Sequence, residues 1–196
     1  MQIVSDLILA AVVIVAAITD LRSGRILNWL VYPAMLLGLA LGAVDGAYLG
    51  GSEGALDGLK NHALGAGAAF GVLFFCFAIG GMNAGDVKLM VAVGALGGWS
   101  RPGEGWFIAY VIFYAFAIGA TLGILAAMWR RCLGLAAIRT WWGLRMLAVQ
   151  GTSLDEAVPF ATIRVPLGFS TCLATLWLLA ENAAGTTLGS LLARIM

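Results

Sequence analysis

From Trp106 to Trp129 the chain reads WFIAYVIFYAFAIGATLGILAAMW, a run without a single Asp, Glu, Lys or Arg. About 20 apolar residues in helical form span the roughly 30 Å hydrocarbon core of a bilayer. Backbone groups in lipid must find their hydrogen bonds within the segment, so the run predicts a transmembrane helix. The tryptophans at its two ends have the amphipathic rings that favour the headgroup level. Apolar runs of the same kind recur on both sides of it. They predict helices over Ile3–Thr19, Leu27–Val44, Ala63–Ile79, Val87–Trp99 and Val165–Ala180. The fourth, Val87–Trp99, is short for a span, and is expected to begin inside the Gly-rich break before it or to be shielded by protein.

The composition agrees. Hydrophobic residues make up 62% of the chain and charged residues 11%, with a mean hydropathy of +0.98. Soluble domains are about 25% charged. The expectation is an all-α, polytopic membrane helix bundle of about six transmembrane helices, forming one domain over residues 1–196, with the lipid bilayer as its solvent. A formal net charge of +1 excludes a basic surface dense enough for nucleic acid. Cys76, Cys132 and Cys172 are far apart in sequence and form no CxxC pair, so they indicate neither a disulfide framework nor a zinc site. The first residues, Met-Gln-Ile-Val-Ser-Asp, have no basic region and no evident cleavage site. They predict a permanent first helix.

Lysine and arginine are unevenly shared between the two sides. Arg22, Arg25, Lys88, Arg130, Arg131, Arg139, Arg145 and Arg164 fall on one side, and Lys60, Arg101 and Arg194 on the other. The richer side is expected to be cytoplasmic, which puts both termini outside. The acidic stretch of Asp45, Glu53 and Asp57 is then an outside loop. The segment 130–164, with Trp141-Trp142 between arginines, is expected to hold a helix lying in the interface.

Two aspartates stand at helix ends. Asp20 follows the first apolar run, and Asp86 precedes the fourth, in Gly80-Gly81-Met82-Asn83-Ala84-Gly85-Asp86-Val87-Lys88. Two crossings separate them, and an even number of crossings returns the chain to the same side. Carboxylates at membrane depth are costly and are functional candidates by default. Two that meet at about 3 Å cannot both ionise, so one keeps its proton. The ionised partner then takes a proton from water while the protonated one polarises a carbonyl, which is the acid and base of an aspartic protease. Lys88 and Arg22 are close in sequence and able to act on this charge. Asn28 is placed to hydrogen-bond near Asp20. Gly81 and Gly85 allow unusual backbone angles and a close substrate approach. The plainer alternative is that each aspartate caps a helix or sits solvated among headgroups.

These residues resemble a family. Gly85-Asp86-Val87-Lys88-Leu89 after a glycine cluster looks like the GxGD motif of type IV prepilin peptidases. Asp20-Leu21-Arg22, followed by Arg25-Ile26-Leu27-Asn28, looks like that family's first aspartate motif. Ile163-Arg164-Val165-Pro166-Leu167-Gly168 resembles its Pro-containing entry to the last helix. Leu27 stands where the family has proline. Asn83 stands where the motif has its first glycine, and asparagine tolerates positive φ. The resemblance implies a six-helix inner-membrane peptidase with Asp20 and Asp86 as its catalytic pair and no cofactor. It would remove the basic leader of pilin or pseudopilin precursors, after a glycine, at the cytoplasmic face. The compact layout looks like the tight-adherence (Flp) pilus branch, which implies cleavage without N-methylation.

No cluster of metal ligands is visible. His62 is expected on the surface, across the membrane from the aspartates, and Asp6 to snorkel or cap at that same outer end. An ion- or proton-coupled transporter is the competing class, because paired intramembrane aspartates also bind cations. Transporter sites favour the midplane of internal repeats, and no repeat is seen here.

Overall fold

The computed structural model describes residues 2–78, 82–101, 106–129 and 167–184. They are helical almost throughout: α1 (Gln2–Ser23), α2 (Asn28–Ala78), α3 (Ala84–Gly97), α4 (Phe107–Trp129) and α5 (Leu167–Ala183). Three of them, α1, α2 and α4, are long and apolar enough to cross a membrane. The expected interfacial helix of 130–164 lies outside the described residues.

The largest departure from the sequence reading is α2. Two helices joined by an acidic loop were expected, but residues 45–62 are helical as well, and one element runs from Asn28 to Ala78. It is broken only at Gly50 and Gly51, where Gly51 has φ 63°, a left-handed conformation open to glycine at no steric cost. The break folds the element back on itself. A side chain on Gly46 would meet the carbonyl of Gly54, and one on Gly58 would meet the carbonyl of Gly42. Small residues at these positions let two helical backbones touch, so helix continues where sequence polarity alone suggests a loop. Glu53 and Asp57 stay exposed on the second arm, and Asp57 meets Lys60 at 3.4 Å.

Helix α3 is the centre of the bundle. Its 14 residues extend only about 21 Å at 1.5 Å per residue, less than the bilayer core. It begins at Ala84, inside the Gly-rich break, and from Leu89 to Gly97 every residue except Val91 is buried. Both expectations for this short helix therefore hold. It packs mainly against α2, through glycines again. A side chain on Gly65 would strike the Gly94 carbonyl, and one on Gly38 the Ala95 carbonyl. With its own Leu96, the surrounding Leu9, Val13, Leu73, Phe107, Ile108, Val111 and Leu178 are among the fully buried core residues. Many of the outward residues are large and apolar, among them Leu36, Phe75, Phe113 and Trp177, as a lipid-facing surface requires.

One end of the bundle is closed by polar contacts. Arg101, almost fully buried, donates to Asp6 at 2.7 Å and to the Gly97 carbonyl at 2.9 Å, with its guanidinium 4.0 Å from the Phe107 ring centroid. Asp6 is thus an ion-pair partner and neither snorkels nor caps. Ser5 donates to the Leu96 carbonyl at 2.9 Å. His62, expected on the surface, is half-buried, and its Nδ1 lies 2.6 Å from the Ala95 carbonyl. A carbonyl only accepts, so Nδ1 carries the proton. These bonds join the start of α1, the second arm of α2 and the end of α3.

Two consequences are measurable by thermal unfolding in detergent. Gly65→Leu or Gly94→Leu forces a side chain onto a backbone carbonyl, and the expected result is loss of a defined transition. Gly67→Ala has open space around it and should leave the melting temperature unchanged or raise it, since alanine favours a helix by about 1 kcal/mol. Arg101→Met strands the Asp6 charge and the Gly97 carbonyl. Breaking a fully buried pair costs about 3–5 kcal/mol; Asp6 is partly exposed, so a smaller fall in melting temperature is expected, and an unchanged one would refute the clasp.

Candidate active site

The opposite end of the bundle holds the two aspartates, and local structure explains how each gets there. Helix α1 runs four residues further than its apolar stretch, so Asp20 lies in the last turn of the helix. Gly24 ends that turn with φ 61°, and its N–H donates to the Asp20 carbonyl at 2.8 Å. This is the left-handed cap that glycine favours. The chain then crosses in four residues to α2, where Leu27, the residue in place of the family's proline, accepts the first helical bonds, from Leu30 at 3.1 Å and Val31 at 3.2 Å. Asn83 caps α3 with φ −80° and ψ 147°. That is extended backbone with negative φ, so the tolerance of positive φ invoked for Asn83 is not needed. Asp86 sits in the first turn of α3, where a helix dipole favours negative charge.

Asp20 and Asp86 line one cavity of about 300 Å³, together with Gly24, Arg25, Ile26, Asn28, Asn83, Gly85 and Lys88. Asp86 is buried, with 8% of its surface exposed, and Asp20 is half-buried. Asp20 is held by another element: the Gly168 N–H at the start of α5 donates to its Oδ2 at 2.9 Å. The wall opposite is tied by Lys88, whose Nζ donates to Asn28 Oδ1 at 3.3 Å and lies 5.4 Å from the Tyr32 ring centroid. Gly85 packs on Ile26, where an added Cβ would sit at an ordinary 3.4 Å. Its φ is not positive, so its part is to keep the wall thin.

Of the residues singled out from sequence, the cavity brings together Asp20, Asp86, Asn28, Asn83, Gly85 and Lys88. Gly81 lies outside the described residues. Arg22 is exposed and does not line the cavity. Helix α1 continues through it, and residues two apart on a helix do not face the same way. Arg25, beyond the Gly24 turn, takes the place expected of Arg22. It stands in the basic stretch after Asp20, but only the turn shows that it folds back. Gly168 was visible only as part of a Pro-containing motif, with no sign that it touches Asp20. Among the described residues, no three His, Cys, Asp or Glu side chains come together as metal ligands.

This is the fold of a helical membrane protein, with a carboxylate-lined cavity at one end of its helices. Residues 7–124, from α1 into α4, match the model of the type IV leader peptidase family, and the chain belongs to that family. No curated protein matches the chain, and no solved structure does.

Lys88→Met removes the link from α3 to the first residue of α2 without adding bulk. We expect the cavity wall to loosen while the bundle persists. Hydrogen exchange at the amides of residues 28–32 should rise several-fold, with no change at 95–99; equal rates in both segments would disprove the link.

Proposed function

We propose that the protein is an intramembrane aspartic endopeptidase in which Asp20 and Asp86 form the catalytic pair. Family membership gives a leader peptidase. The observation that carries the assignment is that these two carboxylates, far apart in sequence, line one cavity. Its partners there supply hydrogen bonds and positive charge.

In this reading, the ionised aspartate takes a proton from a water molecule as its oxygen attacks the scissile carbonyl carbon. The protonated aspartate donates to the carbonyl oxygen, giving a neutral tetrahedral diol. Collapse breaks the C–N bond, a proton passes to the leaving amine, and the pair returns to its starting state. The substrate is a pilin or pseudopilin precursor, cut after a glycine between its basic leader and its hydrophobic helix, without N-methylation. Among such enzymes the chain fits the tight-adherence pilus branch.

We place the active site at the cytoplasmic face of the inner membrane, in a single-domain chain of six crossings with both termini outside. The two arms of α2, each packed along the other, support six crossings, and the excess of basic residues on the aspartate side supports the orientation. A cavity at the end of the helices, away from the midplane, favours a peptidase over an ion-coupled transporter.

The test is cleavage of a pilin-type precursor co-expressed with the wild type, Asp20→Asn or Asp86→Asn, followed by gel mobility. Both variants should insert and be inert, and turnover by either one would remove that aspartate from the pair. Activity should survive chelators. Two carboxylates sharing a proton should also give a two-limbed pH–rate profile on the acid side of neutrality, whereas a rate flat from acidic to neutral pH would contradict the pair.

A further inference from the structure

We infer that the backbone N–H of Gly168, at the start of α5, is the positioning group that aims the Asp20 carboxylate at the cavity; this inference rests on the catalytic reading of Asp20. The N–H donates to Oδ2 at 2.9 Å. The first four N–H groups of a helix have no partner within it, and Gly168 is the second residue of α5. This donor is therefore free for Asp20 at no cost to the helix ladder, and the positive end of the helix dipole faces the carboxylate.

Glycine is required for a second reason. A Cβ at position 168 would lie 2.8 Å from Oδ2 and 3.0 Å from the Asp20 Cβ, so any side chain displaces the carboxylate. The first turn of α5 is itself fixed. Thr171 Oγ1 donates back to the Leu167 carbonyl at 2.8 Å. On the other side Gly119 of α4 gives the turn room, since a Cβ there would be 3.2 Å from the Leu167 side chain. Asp20 therefore has one oxygen held by a rigid backbone donor, while its carboxylate borders the cavity it shares with Asp86 and the cations Arg25 and Lys88. Residue 168 also lies beyond the part of the chain that matches the family model.

The decisive variant replaces Gly168 by glycolic acid through nonsense suppression in the full chain, reconstituted in nanodiscs. This ester swap deletes the N–H, adds no atoms at Cα and removes no donor of the helix ladder; it weakens the Leu167 carbonyl as an acceptor, so Thr171→Val, which removes the hydroxyl donor to that carbonyl, serves as the control and should leave the Asp20 band in place. Two readouts apply. In isotope-edited infrared spectra, with the Asp20 band assigned by Asp20→Asn, the carboxylate stretch should shift on loss of the donor; an unmoved band overturns the inference whatever the substrate. On a pilin-type precursor, kcat should fall ten- to a hundredfold with KM within twofold, the scale of a catalytic group displaced by about 1 Å. Gly168→Ala, which keeps the N–H but adds the methyl, should show the same split. A drop in melting temperature with kcat and KM unchanged in the folded fraction would mean that the glycine serves packing alone. If Asp20→Asn still cleaves, the catalytic reading fails. If Asp20→Asn is inert and the ester variant matches wild type, only the positioning role is lost.

Discussion

The bundle depends on the contact of helix backbones at glycine. Lipid offers no hydrophobic drive for helices to associate, so they must gain from close packing and from polar contacts between them. Helix α3 is too short to span a bilayer alone and is buried almost all round. It is held there because Gly65 and Gly38 of α2 rest on the carbonyls of Gly94 and Ala95. The two arms of α2 meet by the same means. Once α3 is fixed at this depth, its first turn has a defined level, and Asp86 with it.

The two ends of the molecule use polar groups in opposite ways. At one end Arg101, Asp6, Ser5 and His62 are matched with partners, and the result is a clasp. At the other end two carboxylates, an arginine and a lysine border an open cavity. A buried carboxylate without a matched counter-ion is costly. The structure sustains that cost through rigid surroundings: a glycine cap after Asp20, a helix start behind its carboxylate, and a short helix that carries Asp86 in its first turn.

Much of this was legible in the sequence, but unevenly. The apolar runs marked where helices lie, three of them long and apolar enough to cross a membrane among the described residues, since length and the absence of charge are properties of the chain alone. An even number of crossings between them places Asp20 and Asp86 at one end from the sequence alone. What the run-by-run reading missed was continuity. Residues 45–62 are rich in glycine and charge and read as a loop, yet they are helical because each arm gives the other a surface to pack on. Arg22 read as a site residue because it is near Asp20 in sequence, and the continuing helix turns it away. His62 read as a surface residue, and the groove left by Gly42 takes it in.

The sequence by itself determined that the chain is a helical membrane protein, that its two membrane-end aspartates share a side, and that it resembles the leader peptidases, the family to which it belongs. These follow from hydropathy, parity and local residue order, none of which depends on how helices pack. The tertiary structure decided which groups surround the pair: Arg25 in place of Arg22, Lys88 tied to Asn28, and the Gly168 N–H on Asp20. Those contacts join elements far apart in the chain. Their geometry is set by how closely helices approach and how each is rotated about its axis, and no local pattern of residues encodes that.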